Sequence, residues 1–363
     1  MSDHTTGQIS PEEISSGLVQ PYLEHALRMF ESGYATAADI DAAMRFGCGY
    51  PTGPLATLQA QGRDIAGADG AGDDNAPELR HDITKVGVVG TGTMASGIVQ
   101  VFAQAGFDVV FVGRGEDKIA GVTTFISKSL DKAISRGKLD EAGKTQVLGR
   151  LTGATAREAL ADVDLVVEAI AEDLEIKLEL FADLDRICKP GAILATTTSS
   201  LPIGECAKAT ARPQDVIGMH FFNPAVVMKL VEVVTTDLTS PEVDETVRAL
   251  CAKVGKVAVS CGDRSGFIVN CLLFPYLNDA VKLHESGAAT ITEIDAAIKE
   301  HANFPMGPFE LLDVVGNDVS LAIQKELYAE FGDPAFEPAG ALVKVVEDGH
   351  LGRKTGKGFH DYS

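Results

Sequence analysis

The chain has 363 residues, enough for two or three domains with real hydrophobic cores. Its formal net charge of −21 argues against a nucleic-acid partner, because phosphate backbones are bound by basic surfaces. No apolar run approaches the roughly 20 residues that cross a bilayer, and the polar N-terminus does not resemble a signal peptide. The six cysteines form no metal-binding pattern, so we expect structural thiols in a cytoplasmic protein without a metal site.

The N-terminal segment predicts two helices. Ser10 and Glu13 have the spacing of a capping box, which starts a helix that runs to about Gly33. Thr36 starts a second helix, which ends near Gly47.

The same helical pattern returns near the C-terminus. Residues 21–64 align without a gap on residues 275–318, and 19 of these 44 positions are identical. Identity over this length indicates an internal duplication. We therefore predict that residues 1–64 are a partial copy of a C-terminal helical domain. A flexible linker rich in Gly, Ala and Asp is expected over 65–82.

Residues 83–265 alternate short apolar runs with amphipathic helical segments. Seven of the runs are typical of strands, and the alternation predicts an α/β, doubly wound, Rossmann-type dinucleotide-binding domain. Residues 266–363 are mainly helical in pattern. The expected chain is thus an α/β domain followed by a mainly α-helical domain and preceded by a partial helical repeat.

A glycine-rich turn follows the first predicted strand, with the spacing Gly90-x-Gly92-x-x-Ala95. Gly90 permits a tight turn, and Gly92 lets a pyrophosphate approach the N–H groups of the next helix. Thr93 and Met94 follow Gly92 in the same segment. The sequence therefore predicts a dinucleotide site formed by Gly90, Gly92, Thr93 and Met94.

The end of the second predicted strand bears on the choice of cofactor. NAD-binding domains usually place a carboxylate there for the ribose hydroxyl, whereas this chain has Gly113 and Arg114. A guanidinium can pair with the 2′-phosphate of NADP. The pattern favours NADP over NAD, although Arg114 covering the adenine of NAD remains the alternative.

Three polar residues follow or lie in the later strands. If the strands around position 226 form a hairpin, His220 and Glu232 face each other across it. A carboxylate beside an imidazole fixes the tautomer and orientation of the ring, as a base in hydride transfer requires. Ser199 ends the preceding strand, at the edge where doubly wound sheets bind ligands.

Several motifs together identify a family. The segments "SSLPI", "HFFNPAVVMKLVEVV", "SGFIVN", "FPMGPFELLDVVG" and "GRKTGKGFHDY" resemble the 3-hydroxyacyl-CoA dehydrogenases, over roughly residues 83–363. The resemblance implies an NAD(P)-dependent oxidoreductase that interconverts short-chain (S)-3-hydroxyacyl-CoA and 3-oxoacyl-CoA.

The resemblance also implies roles for individual residues. His220 is expected to be the catalytic base and Glu232 its partner, while Ser199 and Asn270 hold the substrate. Cofactor contacts are implied for a second set, which comprises Glu172, Lys177 and Asn223.

Coenzyme A contacts are implied for Ser129, Lys132 and Arg136, although a solvated charged helix face would explain these residues equally well. The family's usual Asn before the serine pair is Thr197 here, and its usual Pro before the Gly-Phe pair is Ser265. These departures affect the choice of cofactor more than the proposed catalytic groups.

Two rival functions remain at this point. A 3-hydroxyisobutyrate-type dehydrogenase uses a catalytic lysine, which the His220–Glu232 hairpin disfavours. A non-catalytic NAD(P)-binding protein of the same fold predicts loss of site residues, and they are present.

The family commonly dimerises through the helical domain. The N-terminal copy has Ser16 at the position of Asn270, so it lacks that site residue. We expect residues 10–64 to dock on the C-terminal copy as an intrachain pseudo-dimer, with an ordinary homodimer as the alternative.

Overall fold

The computed structural model describes residues 9–67 and 76–362, and these form two compact units. One unit joins the chain up to residue 70 with residues from 265 onwards, and the other spans 71–264. Residues 68–75 of the predicted linker lie outside the described residues. Within the described ranges, no helix is both long and apolar enough to cross a membrane.

The N-terminal helices are α1 (Pro11–Glu31), α2 (Ala37–Cys48) and α3 (Pro54–Ala60). The α/β unit then contains, in chain order, β1 (Lys85–Val89), α4 (Thr93–Gln104), β2 (Asp108–Val112), α5 (Glu116–Ser135), α6 (Glu141–Gly149), β3 (Leu151–Ala154), β4 (Leu165–Glu168), α7 (Leu174–Ile187), β5 (Ile193–Thr196), α8 (Ile203–Lys208), β6 (Val216–Phe221), β7 (Leu230–Thr235), α9 (Pro241–Lys253) and β8 (Val257–Gly262). The C-terminal helices are α10 (Val269–Glu285), α11 (Ile291–Ala297) with a π-helical turn at Ile298–Ala302, α12 (Pro308–Val315), α13 (Asn317–Phe331) and α14 (Gly340–Glu347).

The α/β unit is built on one eight-stranded sheet in the order β3-β2-β1-β4-β5-β6-β7-β8. All neighbouring strands are parallel except β6 and β7, which form an antiparallel pair. Every residue of β4, β5 and β6 is buried, as expected for strands covered by helices on both faces. The predicted doubly wound fold, with helices before and after it, is confirmed.

The eighth strand, β3, is the one that the sequence patterns missed. Its segment Leu-Thr-Gly-Ala is short, and none of its residues is fully buried. It pairs only with β2 at the edge of the sheet, and edge strands need no continuous apolar run. Only pairing with β2 distinguishes this segment from a loop.

The end of the predicted linker lies against α9. The backbone N–H groups of Arg80 and His81 donate to Thr246 Oγ1, at 3.0 and 3.1 Å. The guanidinium of Arg80 also pairs with Glu245, at 2.7 Å. Residues 80–81 are therefore part of the α/β unit.

In the helical unit, three helices of the N-terminal copy correspond to three in the C-terminal copy. The pairs α1 and α10, α2 and α11, and α3 and α12 occupy matching positions of the aligned segments. The capping box predicted at Ser10 and Glu13 is confirmed, and Thr290 with Glu293 repeats it in the second copy.

The two copies pack on each other reciprocally. Helix α1 contacts α10 and α11, and α10 in turn contacts α2. The rings of Tyr22 and Tyr276 lie 6.0 Å apart, and those of Tyr50 and Phe304 stack at 3.7 Å. In both pairs, the two residues occupy equivalent positions of the duplicated sequence.

Candidate active site

The turn between β1 and α4 approaches neighbouring backbone too closely for any side chain at Gly90. Gly90 has φ of +135°, which L side chains rarely adopt, and its N–H donates to Val112 O at 3.0 Å. A Cβ at this position would lie 2.3 Å from the carbonyl oxygen of Ala169, the residue after β4. Glycine is therefore required for the chain to turn between the ends of β1 and β4.

A cavity of about 610 Å³ opens above this turn. Helix α4 begins after Gly92 with no side-chain cap, so the N–H groups of its first turn are suited to an anion. The lining of the cavity comes from the glycine-rich turn and from the ends of β2 and β3, and includes Gly90, Gly92, Thr93, Met94, Gly113, Arg114, Thr155 and Arg157. These residues fit a dinucleotide whose pyrophosphate lies at the start of α4.

The β2 end of the cavity is cationic. Arg114 is exposed there, and Gly113 is buried with Thr91 so close that an added Cβ would lie 2.4 Å from Thr91 Cγ2. A second guanidinium, that of Arg157, also lines the cavity and pairs with Asp183 at 2.6 Å. Sequence reasoning missed Arg157 because it follows β3, the strand that the patterns did not reveal.

His220 and Glu232 lie opposite each other in the antiparallel pair β6–β7, as the hairpin prediction requires. His220 Nδ1 is 2.6 Å from Glu232 Oε2. The histidine is 8% exposed, whereas the glutamate is completely buried. The Phe222 ring lies 4.6 Å from the imidazole and limits its movement on one side.

This geometry determines which histidine nitrogen can act as a base. A carboxylate bound to Nδ1 keeps the proton on that nitrogen, and Nε2 then carries the lone pair. The negative charge of Glu232 also stabilises the positive charge that the ring gains when Nε2 is protonated. His220 is thus arranged to exchange a proton with a substrate hydroxyl.

Ser199 follows β5, the strand next to β6, and is half-buried. Thr196 of β5 pairs with Gly218 of β6, so Ser199 and His220 both lie toward the same end of neighbouring strands. The backbone N–H of Ser199 donates to Glu172 Oε1 at 3.1 Å. The structure therefore connects two predicted site residues, Ser199 and Glu172, by a hydrogen bond.

Lys177 is buried, and its ammonium is bound to two carboxylates. Nζ lies 2.7 Å from Glu168 Oε1 and 3.3 Å from Glu172 Oε2. Sequence reasoning did not single out Glu168, although a charged residue at the end of an apolar strand was a usable signal.

Asn223 is exposed in the connection between β6 and β7. That connection is held by the ammonium of Lys256, which donates to Met228 O at 2.6 Å and also to Ala225 O. Asn270 belongs to the other compact unit, where it is the second residue of α10 and 8% exposed.

The predicted coenzyme A contacts fall at the C-terminal end of α5. Ser129 is half-buried, while Lys132 and Arg136 are exposed. Their spacing places the three on one face of a helix. Cations at a helix C-terminus are also favoured by the helix dipole, so position alone does not distinguish ligand binding from solvation.

Comparison with known protein families covers both units. Residues 85–264 match the model described as 3-hydroxyacyl-CoA dehydrogenase, NAD binding domain. The model of the C-terminal domain of the same family matches twice, at residues 14–70 and 266–362. The second match supports the duplication that the sequence repeat indicates.

Individual relatives agree with these matches. A 3-hydroxybutyryl-CoA dehydrogenase of Clostridioides difficile is 46% identical over 279 residues, which are 77% of this chain and 99% of the relative. One from Mycobacterium tuberculosis is 44% identical over 282 residues, with the same coverage. The crystal structure of (S)-3-hydroxybutyryl-CoA dehydrogenase from Ralstonia eutropha has a TM-score of 0.76 at 39% identity, covering 78% of this chain and all of that one.

Proposed function

The chain belongs to the 3-hydroxyacyl-CoA dehydrogenase family, and we propose that it interconverts short-chain (S)-3-hydroxyacyl-CoA and 3-oxoacyl-CoA. 3-Hydroxybutyryl-CoA and acetoacetyl-CoA are the proposed pair, since relatives at 41–46% identity carry that name. The observation that carries the proposal is the buried His220–Glu232 pair in a sheet that also forms a dinucleotide cavity.

In the proposed reaction His220 is the catalytic base. During oxidation Nε2 accepts the proton of the substrate 3-hydroxyl, and during reduction it returns that proton to the 3-oxo group. Glu232 holds the ring through Nδ1 and stabilises the imidazolium. We assign Ser199 and Asn270 to hold the reacting oxygen or the thioester. A nicotinamide dinucleotide, when bound, supplies the site that accepts or donates the hydride.

For the cofactor we propose pyrophosphate contacts from Gly90, Gly92, Thr93 and Met94. Glu172 and Asn223 are proposed to lie on its nicotinamide side, together with Lys177. The family model supports a nicotinamide adenine dinucleotide. We further propose a preference for NADP, because Arg114 lines the cavity where a ribose carboxylate would stand in an NAD-binding domain.

Ser129, Lys132 and Arg136 are proposed to bind coenzyme A phosphates, which would place anions beside two exposed cations.

A cytoplasmic location is also proposed. All six cysteines remain thiols, as expected in a reducing compartment.

We propose domain boundaries at 1–64, 65–82, 83–265 and 266–363, with the first segment acting as a built-in partner for the last. The end of the second segment, at residues 80–81, packs on α9 of the α/β unit. The support is the reciprocal packing of the two copies. Contacts between equivalent residues, such as Tyr22 with Tyr276, are typical of a two-fold interface between identical subunits.

The proposed activity is tested by steady-state reduction of acetoacetyl-CoA with NADH and NADPH. We expect turnover by the unaltered protein, and a loss of about 10²–10⁴-fold in kcat for His220→Gln, because removing a general base has that effect. A loss of less than tenfold would contradict the assigned role. No turnover of acyl-CoA substrates of any length by the unaltered protein would favour a non-catalytic function.

A further inference from the structure

A fully buried ion pair lies at the end of β4. Lys177, in the first turn of α7, is 1% exposed, and Glu168, the last residue of β4, is completely buried. The ammonium donates to both carboxylate oxygens, at 2.7 and 2.9 Å. Thr196 Oγ1 and the N–H of Ile170 donate to the same carboxylate, at 2.6 and 2.8 Å. The Glu168 side chain is thus held by three neighbours.

Stability alone does not account for this pair. The desolvation of two charges can exceed their mutual attraction, and apolar residues of similar volume often replace buried pairs without loss of stability. The position of the pair is more informative. Glu168 is in register with Val89, the residue before the glycine-rich turn, and with Thr196, which precedes the Ser199 segment.

From this pair a chain of contacts leads to the candidate active site. Lys177 Nζ reaches Glu172 Oε2 at 3.3 Å. The other oxygen of Glu172 accepts the N–H of Ser199 at 3.1 Å and the hydroxyl of Thr198. The Glu172 side chain remains 40% exposed. Both of its oxygens are therefore anchored while part of the carboxylate stays accessible.

We propose that Glu168 and Lys177 are positioning residues, which hold the Glu172 carboxylate and through it the backbone at Ser199. The inference rests on the proposed function, since Glu172 and Ser199 are assigned there to cofactor and substrate. It adds to the nicotinamide-side placement of Lys177 proposed above a role for Glu168 and for the contact between Lys177 and Glu172.

The electrostatics of Glu172 agree with this role. Partial burial would raise the pKa of Glu172, but the Lys177 charge and the hydrogen bonds from Thr198 and Ser199 outweigh it and lower that pKa. Other titratable groups at this cluster are Glu168, Asp263 and Cys206 of α8, whose pKa burial raises to about 12. Among the influences that lower the pKa of Glu172, the charge of Lys177 is the largest.

A single variant and a double variant separate positioning from structural support. Lys177→Met leaves the Glu168 charge buried without its cation, so this variant should lose thermal stability. Adding Glu168→Gln removes that charge, while the amide oxygen can still accept from the Ile170 N–H and the Thr196 hydroxyl can turn to accept from the amide NH2. The double variant should therefore regain stability. Lys208→Met is the matched control, since this exposed lysine pairs with a neighbour on its own helix, Glu205.

Three measurements are made on each variant: thermal unfolding, the dissociation constant for NADH and NADPH by fluorescence titration, and the pH profile of kcat/KM. We expect the double variant to lose about 10²-fold in kcat/KM, because small displacements of positioned groups have such effects. The acid limb of its kcat/KM profile should move to higher pH, because Glu172 then lacks the cation that lowers its pKa. Cofactor binding should weaken at least severalfold, and Lys208→Met should change none of these.

The outcomes are distinguishable. If the double variant regains stability together with unaltered cofactor affinity and pH profile, the pair is structural and the inference is wrong. If the unaltered protein turns over no acyl-CoA substrate, the proposed function fails. The cofactor titrations of the variants then still decide whether the pair positions the cofactor site.

Discussion

At the scale of single residues, two adjacent positions at the end of β2 determine which side chain the protein presents to the cavity at that point. Gly113 has no side chain, and the nearby Thr91 leaves little room for one. Arg114 extends the only side chain of this pair to the cavity. A guanidinium forms strong, geometrically defined bonds with phosphate, whereas a ribose hydroxyl gains less from it.

We predict that Arg114→Ala selectively impairs the use of NADPH. The kcat/KM for NADPH should fall about 10- to 100-fold, because a hydrogen bond to a charged group contributes about 1.5–3 kcal/mol. The kcat/KM for NADH should change only a few-fold. Arg150→Ala is the matched control. Arg150 is a partly exposed arginine of the same unit, and its guanidinium lies as far as 3.8 Å from its partner Asp108. Equal losses with both cofactors would show that Arg114 only covers the adenine.

At the scale of elements, each copy of the helical module has an aspartate at the equivalent position whose carboxylate binds N–H groups at the start of a helix. Asp41 of α2 accepts the N–H groups of Leu55 and Ala56 at the start of α3, at 2.8 and 3.0 Å. Asp295 of α11 likewise accepts the N–H of Phe309 at the start of α12, at 2.9 Å. Each satisfies N–H groups that a helix start leaves without partners.

The two copies differ in what else this carboxylate binds. The second oxygen of Asp295 lies 2.7 Å from His360 Nε2 in the C-terminal tail. The N-terminal copy has no counterpart of that tail within the aligned segment, and Asp41 uses both oxygens on α3. The two copies therefore share the hydrogen bonds at the helix start and differ in the contact with the C-terminal tail, which Asp295 makes.

We predict that Gly53→Ala destabilises the N-terminal copy. An added Cβ would lie 2.1–2.3 Å from atoms of Asp41, so the carboxylate must move away from the start of α3. The free energy of unfolding should fall by about 1–3 kcal/mol, measured by denaturant titration. Gly17→Ala is the control, since nothing lies within 4 Å of a Cβ there and alanine favours a helix interior. Unchanged stability in Gly53→Ala would mean that the contact is not needed.

At the scale of the whole molecule, the N-terminal copy covers a surface of the C-terminal copy with aromatic residues. Tyr276 and Phe304 are 2% and 9% exposed in the presence of Tyr22 and Tyr50. The relative from Clostridioides difficile matches 279 residues, so 84 residues of this chain lie outside the match. In a relative without such a segment, the corresponding surface must contact solvent or another subunit.

We predict that the full-length chain has the mass of a single chain by light scattering at micromolar concentration. Deletion of residues 1–75 should expose Tyr276 and Phe304 and produce a dimer, because an apolar two-fold surface then lacks its cover. A second measurement guards against misfolding of the shortened chain: Tyr50→Lys in the full chain should weaken the packing of the copies and raise the dimer fraction. A full-length chain that stays dimeric on dilution, with both copies packed, would contradict the built-in partner.

Much of the candidate site was predictable from local sequence patterns. The glycine-rich turn was predictable because the spacing of Gly90 and Gly92 between a buried strand and a helix is itself the structural requirement. The opposition of His220 and Glu232 was predictable because a hairpin with a known centre sets its own register. Arg157 was not predicted, since its place follows from the pairing of β3 with β2, which are distant in the sequence. Glu168 had a local signal, a charge at the end of an apolar strand, but its contact with Thr196 depends on the neighbouring strand.

The sequence by itself determined the order of the α/β and helical parts, the duplication, the glycine-rich turn and the hairpin register, because each follows from residue patterns within short segments of the chain or repeated between them. Only the tertiary structure decided that β3 pairs with β2, that Lys177 binds Glu168 in the interior, and that Tyr22 meets Tyr276. These contacts join different segments of the chain, and the local pattern of each segment is compatible with several tertiary arrangements. Burial and hydrogen bonding between the segments favour one of these arrangements, and the spacing of residues along the chain does not reveal which one.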